Sequence, residues 1–333
     1  MPKELAEFRV LLCRLQDAVL ETVLEQQAGM APGQLAAIVA ETKADTIFQI
    51  DKEVERTVLN WMSRHWPSAE PVELVMEGID DEAVVFPTGV RVGDTKWKCI
   101  VDPIDGTRGW MHDKRSAWAL AGIAPQRGGE TRLSDIVVTA MTELPVTKQW
   151  RADQLSAVRG DGVIAEAVDV LRGGGRSAWR PTPSGAADFR QSFAGVSKFF
   201  PQGKALLADL EEAFWTELHG NEPQAAPLVF DDQYVSTGGQ VYELCSGRDR
   251  MWIDLRPQAF RTLGLSLSLT CHPYDICTAM ILTELGGIVE TPEGALLDAP
   301  LDTTSPISWA GYANPTLAAL ARPVLQRLIA ERL

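Results

Sequence analysis

The stretch "CIVDPIDGTRGW" (Cys99–Trp110) places two aspartates where an apolar run meets a turn. The residues before Asp102 have the pattern of a buried strand, and the proline that follows keeps Asp102 extended. Gly106 then permits a sharp turn. The segment is therefore predicted to be a rigid elbow that directs the carboxylates of Asp102 and Asp105 towards one point.

Two interpretations of this elbow remain open from its own residues. Asp, Pro and Gly are the commonest turn formers, so Asp102 and Asp105 would then only cap a turn. Alternatively, the two carboxylates and the carbonyl oxygen of Ile104 suit a hard divalent cation, which needs several oxygen ligands. In that case the backbone N–H groups of Gly106 and Thr107 are available to an anion.

Three further acids favour the metal interpretation. Glu77 closes the apolar strand "VELVM", Asp51 lies at the start of an amphipathic helix, and Asp275 precedes the apolar helix "ICTAMILTELGG". Taken alone, Asp51 and Asp275 each fit a helix cap. Five acids that converge would repel one another strongly unless cations neutralise them, so the chemistry indicated is metal-dependent.

Composition excludes several classes of protein. The 333 residues are 45% hydrophobic and 23% charged, and no apolar run approaches the ~20 residues of a membrane helix, so we expect a soluble globular protein without a membrane partner. The N-terminus lacks the apolar core of a secretory signal, which favours a cytoplasmic location. The net charge of −14 argues against a nucleic-acid polymer as partner. The five scattered cysteines are predicted to be reduced packing residues.

The pattern along the chain predicts two subdomains. Helical spacing predicts a helix over Glu4–Gln27, a second helix from about Pro32, and a third after Asp51. Six strands follow between Val72 and Ala165, including a hairpin at "RGD", and they suggest an antiparallel sheet. A glycine- and proline-rich stretch, "RGGGRSAWRPTPSG", then predicts a loop or junction. We expect an α+β subdomain over 1–185, with most of the metal ligands, and an α/β subdomain over 186–333, with Asp275.

Two segments resemble signatures of one known family. "VDPIDGTRGW" (101–110) resembles the first signature of the inositol monophosphatase family, and "YDICTAMILTELGGIV" (274–289) resembles the second, which usually begins with Trp-Asp. The segments "FQIDKEVE", "VMEGIDDE" and "VSTGGQVYELCSG" extend the resemblance, which covers roughly Ala44–Ala313.

The resemblance implies a fold, an activity and a set of site residues. The fold would be of the α/β (α+β) class, a layered α/β/α/β/α sandwich of the inositol monophosphatase and fructose-1,6-bisphosphatase type. The activity would be lithium-sensitive hydrolysis of a phosphate monoester with two or three Mg2+ ions, or with Mn2+ as a substitute. The positions that match the family's metal ligands are Glu77, Asp102, the carbonyl of Ile104, Asp105 and Asp275. Those expected to position or deprotonate the attacking water are Asp51, Glu77 and Thr107. Gly106 and Thr107 would bind the phosphate through backbone N–H groups.

The chain departs from the family pattern at several positions. Gly78 replaces the second of two successive glutamates, Phe48 replaces a threonine, and Tyr274 replaces the tryptophan before Asp275. After Thr107, "RGW" is closer to the 3'(2'),5'-bisphosphate nucleotidases than to the inositol phosphatases.

The substrate therefore stays open between several small phosphorylated metabolites. We expect inositol monophosphate or a similar sugar phosphate, with a bisphosphate nucleotide, or a catalytically silent metal-binding relative, as alternatives. Arg108, Arg250 and Asp254 are weaker candidates for substrate contacts, and surface ion pairs would explain Arg250 and Asp254 equally well. A homodimer is also expected from the resemblance.

Overall fold

The computed structural model describes residues 3–29, 38–41, 46–79, 83–220 and 229–333. The α-helices in these residues are α1 (Lys3–Gly29), α2 (Gln49–His65), α3 (Thr107–Met111), α4 (Lys204–His219), α5 (Thr237–Cys245), α6 (Arg256–Thr262), α7 (Pro273–Ile276), α8 (Ala279–Glu284) and α9 (Pro315–Arg332). Short 3-10 helices cover Val92–Asp94, Gly128–Glu130 and Leu133–Asp135.

The strands in the same described residues form three sheets. They are β1 (Ile38–Glu41), β2 (Thr46–Phe48), β3 (Val72–Met76), β4 (Val84–Phe86), β5 (Trp97–Asp105), β6 (Ala117–Pro125), β7 (Val138–Leu144), β8 (Arg151–Val158), β9 (Gly162–Asp169), β10 (Arg176–Trp179), β11 (Ser192–Val196), β12 (Val229–Phe230), β13 (Asp249–Asp254), β14 (Ile288–Glu290) and β15 (Trp309–Tyr312). Within the described ranges, β1 and β2 pair only with each other.

The larger sheet has eight strands in the order β10-β9-β8-β7-β6-β5-β3-β4. Its pairs are antiparallel except for β3 and β5, which run parallel. Its central strands are buried on both faces, and in β6 every residue but the last is buried. This explains why "AWALAGIAP" is a continuous apolar run, since a sheet covered on both faces has no solvent side.

The smaller sheet has five strands in the order β12-β11-β13-β15-β14. β11 runs parallel to both of its neighbours, whereas β15 is antiparallel to β13 and to β14. All of its strands come from residues after 190, and those of the larger sheet end at Trp179.

Three hydrophobic clusters show how the layers stack. The first lies between α1, α2 and the larger sheet, the second surrounds α5, α7 and α8 between the two sheets, and the third lies between the smaller sheet and α4, α6 and α9. α5 contacts β6 of the larger sheet and β13 of the smaller one. The layers therefore run α/β/α/β/α, and the predicted fold class is confirmed.

Gln16 fixes the position of α1 on the larger sheet. Its Nε2 donates to the carbonyl of Ala140 (2.8 Å), and its Oε1 accepts a hydrogen bond from the hydroxyl of Thr142 (2.8 Å). The side chain is buried, so both amide ends need these partners.

The structure corrects several predicted elements. Residues 30–37, where a second helix was expected to start, lie outside the described residues, and Ile38–Glu41 form β1 instead of a helix. The glycine-rich junction contains the edge strand β10, because its Arg176–Trp179 backbone pairs with β9. The helix expected after Asp275 is divided into α7 and α8.

Other sequence features have the predicted role. Four cysteines are buried and Cys13 is half-buried, and all five are free thiols. The "RGD" residues form the tight turn between β8 and β9, in which the N–H of Asp161 donates to the carbonyl of Val158 (2.9 Å). Among the described residues, no helix has the length and apolar character needed to cross a membrane.

Replacing Gln16 by leucine keeps the side-chain volume and removes both hydrogen bonds to the sheet. We expect the free energy of unfolding to fall by about 1–3 kcal/mol, because a buried carbonyl loses a donor. Glu25→Leu, at an exposed position of the same helix, should change it by no more than about 0.5 kcal/mol. Urea unfolding measures both values, and equal values for the two variants would contradict this role of Gln16.

Candidate functional site

A cavity of about 460 Å3 opens beyond the carboxyl ends of β3 and β5. α2, α3 and α7 also contribute to its lining. Among the residues that the structure describes, the carboxylates that line it are Asp51, Glu55, Glu77, Asp102, Asp105 and Asp275. The five acids singled out in the sequence thus line one cavity, together with Glu55, which the sequence analysis missed.

A β-bulge explains how Asp102 and Asp105 come to face the same cavity. Residues three apart in a regular strand point to opposite faces. Here Asp102 pairs with Leu120 and Asp105 with Trp118, so three steps along β5 match two along β6. The extra residue of the bulge returns Asp105 to the face of Asp102.

Glu77 reaches the cavity because β3 and β5 run in parallel. The last pair in their register is Met76 with Val101, so the next residues along the two strands are Glu77 and Asp102. The N–H of Glu77 donates to the carbonyl of Val101 (3.3 Å). The two acids therefore lie side by side, Glu77 directly after β3 and Asp102 within β5.

The start of α5 holds the carboxylate of Asp105. Its Oδ2 accepts hydrogen bonds from the Ser236 hydroxyl (2.8 Å) and from the N–H of Gly238 (2.5 Å). A Cβ atom on Gly238 would lie 2.6 Å from Leu120 Cδ2, and 3.0 Å from this carboxylate oxygen. Glycine is thus required for α5 to approach β5 and β6 so closely.

Asp275 is held within the first turn of α7. The sequence suggested a simple N-cap, but the N-cap is His272, and the Oδ2 of Asp275 accepts a hydrogen bond from the N–H of His272 (2.6 Å). This capping interaction orients the carboxylate at the wall of the cavity.

Asp102, Asp105 and Asp275 form a compact cluster, in which one oxygen of each lies within 4.8 Å of the others. Burial, and then the charges of Glu77, Asp105 and Asp275, raise the pKa of Asp102 well above its ordinary value. Burial and the charge of Asp275 raise the pKa of Asp105 to about 7. All the potential metal ligands are carboxylate oxygens, and the negative charge of each is destabilised by the others. The cluster therefore suits a hard divalent cation.

Thr107 links the elbow to α2. Its hydroxyl lies 3.2 Å from Asp51 Oδ1 and 2.8 Å from the carbonyl of Ile104. Gly106 precedes α3 with a φ of 92°, a left-handed conformation that favours glycine. The N–H groups of Gly109 and Trp110 donate to the carbonyl of Gly106 (2.9 and 3.3 Å), which closes the first turn of α3.

The three weaker candidates for substrate contacts lie in different places relative to the cavity. Arg108 lines the cavity, but Arg250 does not, since its guanidinium donates to the carbonyls of Asp188 (2.7 Å) and Arg190 (2.9 Å). Asp254 is not among the lining residues either. It is fully buried and binds the guanidinium of Arg256, which does line the cavity.

Sequence reasoning missed Arg256 and the aromatic side chains of Phe199 and Phe200, which also line the cavity. "IDLRP" carried one usable signal, because an Arg two residues after a strand-ending Asp is able to form a side-chain pair with it. "KFF" carried none, because its residues leave β11 and reach the site only through the tertiary fold.

Comparison with known proteins gives a match in structure alone. No family model matches the chain, and no curated protein matches its sequence. Among solved structures, the fructose-1,6-bisphosphatase of Leishmania major in holo form matches with a TM-score of 0.67 and 14% identity, over 98% of this chain and 95% of that one. The suhB protein of Bartonella henselae matches with a TM-score of 0.62 and 14% identity, over 97% and 98%. The inositol monophosphatase of Anabaena matches with a TM-score of 0.60 and 14% identity, over 99% and 98%. The chain therefore has the fold shared by inositol monophosphatases and fructose-1,6-bisphosphatases.

Proposed function

We propose that the protein is a metal-dependent phosphatase that hydrolyses a small phosphate monoester. The observation that carries this proposal is the cluster of Asp102, Asp105 and Asp275 within 4.8 Å, at the wall of a cavity of about 460 Å3. The fold it shares with known phosphatases adds support.

Mg2+ is the cation that we assign to the cluster, with Mn2+ as an alternative. Its ligands would be the carboxylates of Glu77, Asp102, Asp105 and Asp275 with the carbonyl of Ile104, a set that two or three ions would share. Bound Mg2+ lowers the pKa of water and stabilises negative charge on phosphoryl and leaving oxygens.

Thr107 and Asp51 would prepare the nucleophile. The Thr107 hydroxyl would donate a hydrogen bond to Asp51 and accept a hydrogen bond from an attacking water molecule. Asp51 then receives the proton that the threonine passes on, which is general-base catalysis through a hydroxyl. The distance of 3.2 Å between Thr107 Oγ1 and Asp51 Oδ1 supports this assignment, and the carbonyl of Ile104, at 2.8 Å, is the competing acceptor for the same proton.

The start of α3 would bind the phosphate. The backbone N–H groups of Gly106 and Thr107 would donate hydrogen bonds to the phosphate oxygens, so no further ionisable side chain is needed there. The Thr107–Asp51 contact also favours an enzyme over a silent relative that keeps only the metal cluster, since neither residue is needed merely to hold a cation.

Metal binding should depend on Asp102. At a Mg2+ concentration of 100 times the dissociation constant, we expect the wild-type protein to gain about 2.7 kcal/mol of stability, and Asp102→Asn to lose most of this gain. Asp94→Asn, at an exposed ion pair with Arg91, should keep it. Unfolding curves with and without Mg2+ measure the gain, and an unchanged gain in Asp102→Asn would exclude Asp102 as a ligand.

Loss of the Thr107 hydroxyl should impair catalysis but not metal binding. We expect Thr107→Val to lower kcat by roughly 10²–10⁴, the usual effect of losing general acid–base catalysis, while Mg2+ still stabilises the fold. Thr147→Val is the matched control, because Thr147 also donates to an aspartate, Asp113, and that pair does not line the cavity. Equal kcat values for the two variants would contradict the assigned role.

The substrate is found by measuring phosphate release with Mg2+ from inositol 1-phosphate, adenosine 3',5'-bisphosphate, fructose 1,6-bisphosphate and histidinol phosphate. We expect release from at least one of them, and its loss in Asp105→Asn, because that variant lacks a carboxylate of the cluster. Mg2+ binding without release from any of these compounds would contradict the proposed activity.

A further inference from the structure

Part of the cavity lining carries no carboxylate. We name this part the Arg256 wall and define it by Phe199, Phe200, Arg256, Leu267 and Leu269. Its members come from the segments that follow β11 and β13, whereas the clustered aspartates lie at the end of β5 and in α7. The cavity therefore has a second region whose chemistry differs from that of the carboxylate cluster.

Arg256 connects the other parts of this wall through hydrogen bonds and a contact with an aromatic ring. Its Nε donates to both oxygens of Asp254 (2.9 and 3.0 Å), its Nη2 donates to Asp254 Oδ2 (2.5 Å), and its Nη1 donates to the carbonyl of Leu269 (2.9 Å). Its Cζ also lies 4.5 Å from the ring centroid of Phe199. The residue is 6% exposed, so the guanidinium is fixed in one orientation while it still contributes to the cavity surface.

The guanidinium keeps donors to spare. A guanidinium has five N–H groups, and its hydrogen bonds to described residues occupy Nε and one N–H on each terminal nitrogen. One N–H on Nη1 and one on Nη2 remain. These two donors are available to the oxygens of a carboxylate or phosphate group, the anions that arginine binds through its N–H groups.

The surroundings of Arg256 affect how it would bind an anion. The apolar side chains of Phe199, Leu267 and Leu269 line the cavity together with Arg256, and a charge-assisted hydrogen bond is stronger in apolar surroundings. Asp254 neutralises the resting charge of Arg256, so the guanidinium tolerates burial before the ligand arrives. The other arginine in the described lining is Arg108, which follows Thr107 directly in the chain.

We propose that Arg256 determines substrate specificity by binding a second anionic group, a phosphate or a carboxylate, on the part of the substrate that leaves when the phosphate ester is hydrolysed. This inference rests on the proposed phosphatase function, because it takes the carboxylate cluster as the place of the scissile phosphate. It selects phosphate monoesters with a second anionic group over those with hydroxyl groups alone.

The test measures binding of phosphonates, which are not hydrolysed. Isothermal titration calorimetry with Mg2+ compares an alkylphosphonate, a phosphonocarboxylate and a diphosphonate of equal chain length, at three and at six carbons. For at least one length, we expect a ligand with two anionic groups to bind the wild-type protein about tenfold or more tightly than the alkylphosphonate, since hydrogen bonds between charged groups are the strong ones. Whichever of the phosphonocarboxylate and the diphosphonate binds more tightly identifies the second group as carboxylate or phosphate.

Arg256→Lys keeps the positive charge and removes the paired donors. We expect this variant to lose the preference for two anionic groups and to retain the wild-type affinity for the alkylphosphonate. Arg322→Lys is the matched control, because Arg322 also binds a carboxylate, that of Glu290, through Nε and Nη2. The double variant Asp254→Asn/Arg256→Gln removes both charges together and avoids leaving a buried carboxylate unpaired.

The outcomes separate this inference from the proposed function. Equal binding of the three ligands by the wild-type protein, or equal weakening of all three in Arg256→Lys, overturns the assignment to Arg256. Phosphate release without any preference for a second anionic group overturns this inference alone. A preference that Arg256→Lys removes, without phosphate release from any substrate tested, overturns the proposed function alone.

Discussion

The electrostatic repulsion among Asp102, Asp105 and Asp275 is the constraint around which the site is arranged. The fold holds one oxygen of each carboxylate within 4.8 Å of the others, largely away from water, at a real cost in free energy to the cation-free protein. Rigid elements impose this cost: the bulge in β5, the start of α5 and the first turn of α7. Under the proposed function, a divalent cation would offset this repulsion.

The layered fold explains why these groups can be kept rigid. The helices between the two sheets approach β5 and β6 closely, and Gly238 allows that approach because any side chain there would collide with Leu120. The larger sheet supplies Glu77, Asp102 and Asp105, and the middle helices supply Asp275 and the hydrogen bonds to Asp105. The site is thus formed where the layers meet.

The cavity has two chemically different regions. One is assigned to hydrolysis of the phosphate ester and the other to selection of the substrate. The carboxylate cluster lies beside Thr107 and Asp51, which the proposed mechanism uses. The Arg256 wall is built from the pair of Asp254 and Arg256 with aromatic and aliphatic side chains. Variation in this wall would alter the substrate without altering the hydrolytic step, which is how one fold serves several substrates.

Local chemistry in the sequence determined the elbow at Asp102 and the strand that ends before Glu77, because turn residues and apolar periodicity act over a few residues. The five-layer class was implied by the resemblance of two segments to the signatures of a known family. Tertiary structure decided what depends on distant contacts. It divided the helix after Asp275, paired Arg176–Trp179 as an edge strand, and removed Arg250 from the cavity by engaging it with Asp188 and Arg190. It also brought Arg256 and Phe199 into the site, since residues far apart in the chain become neighbours only when the sheets and helices pack together.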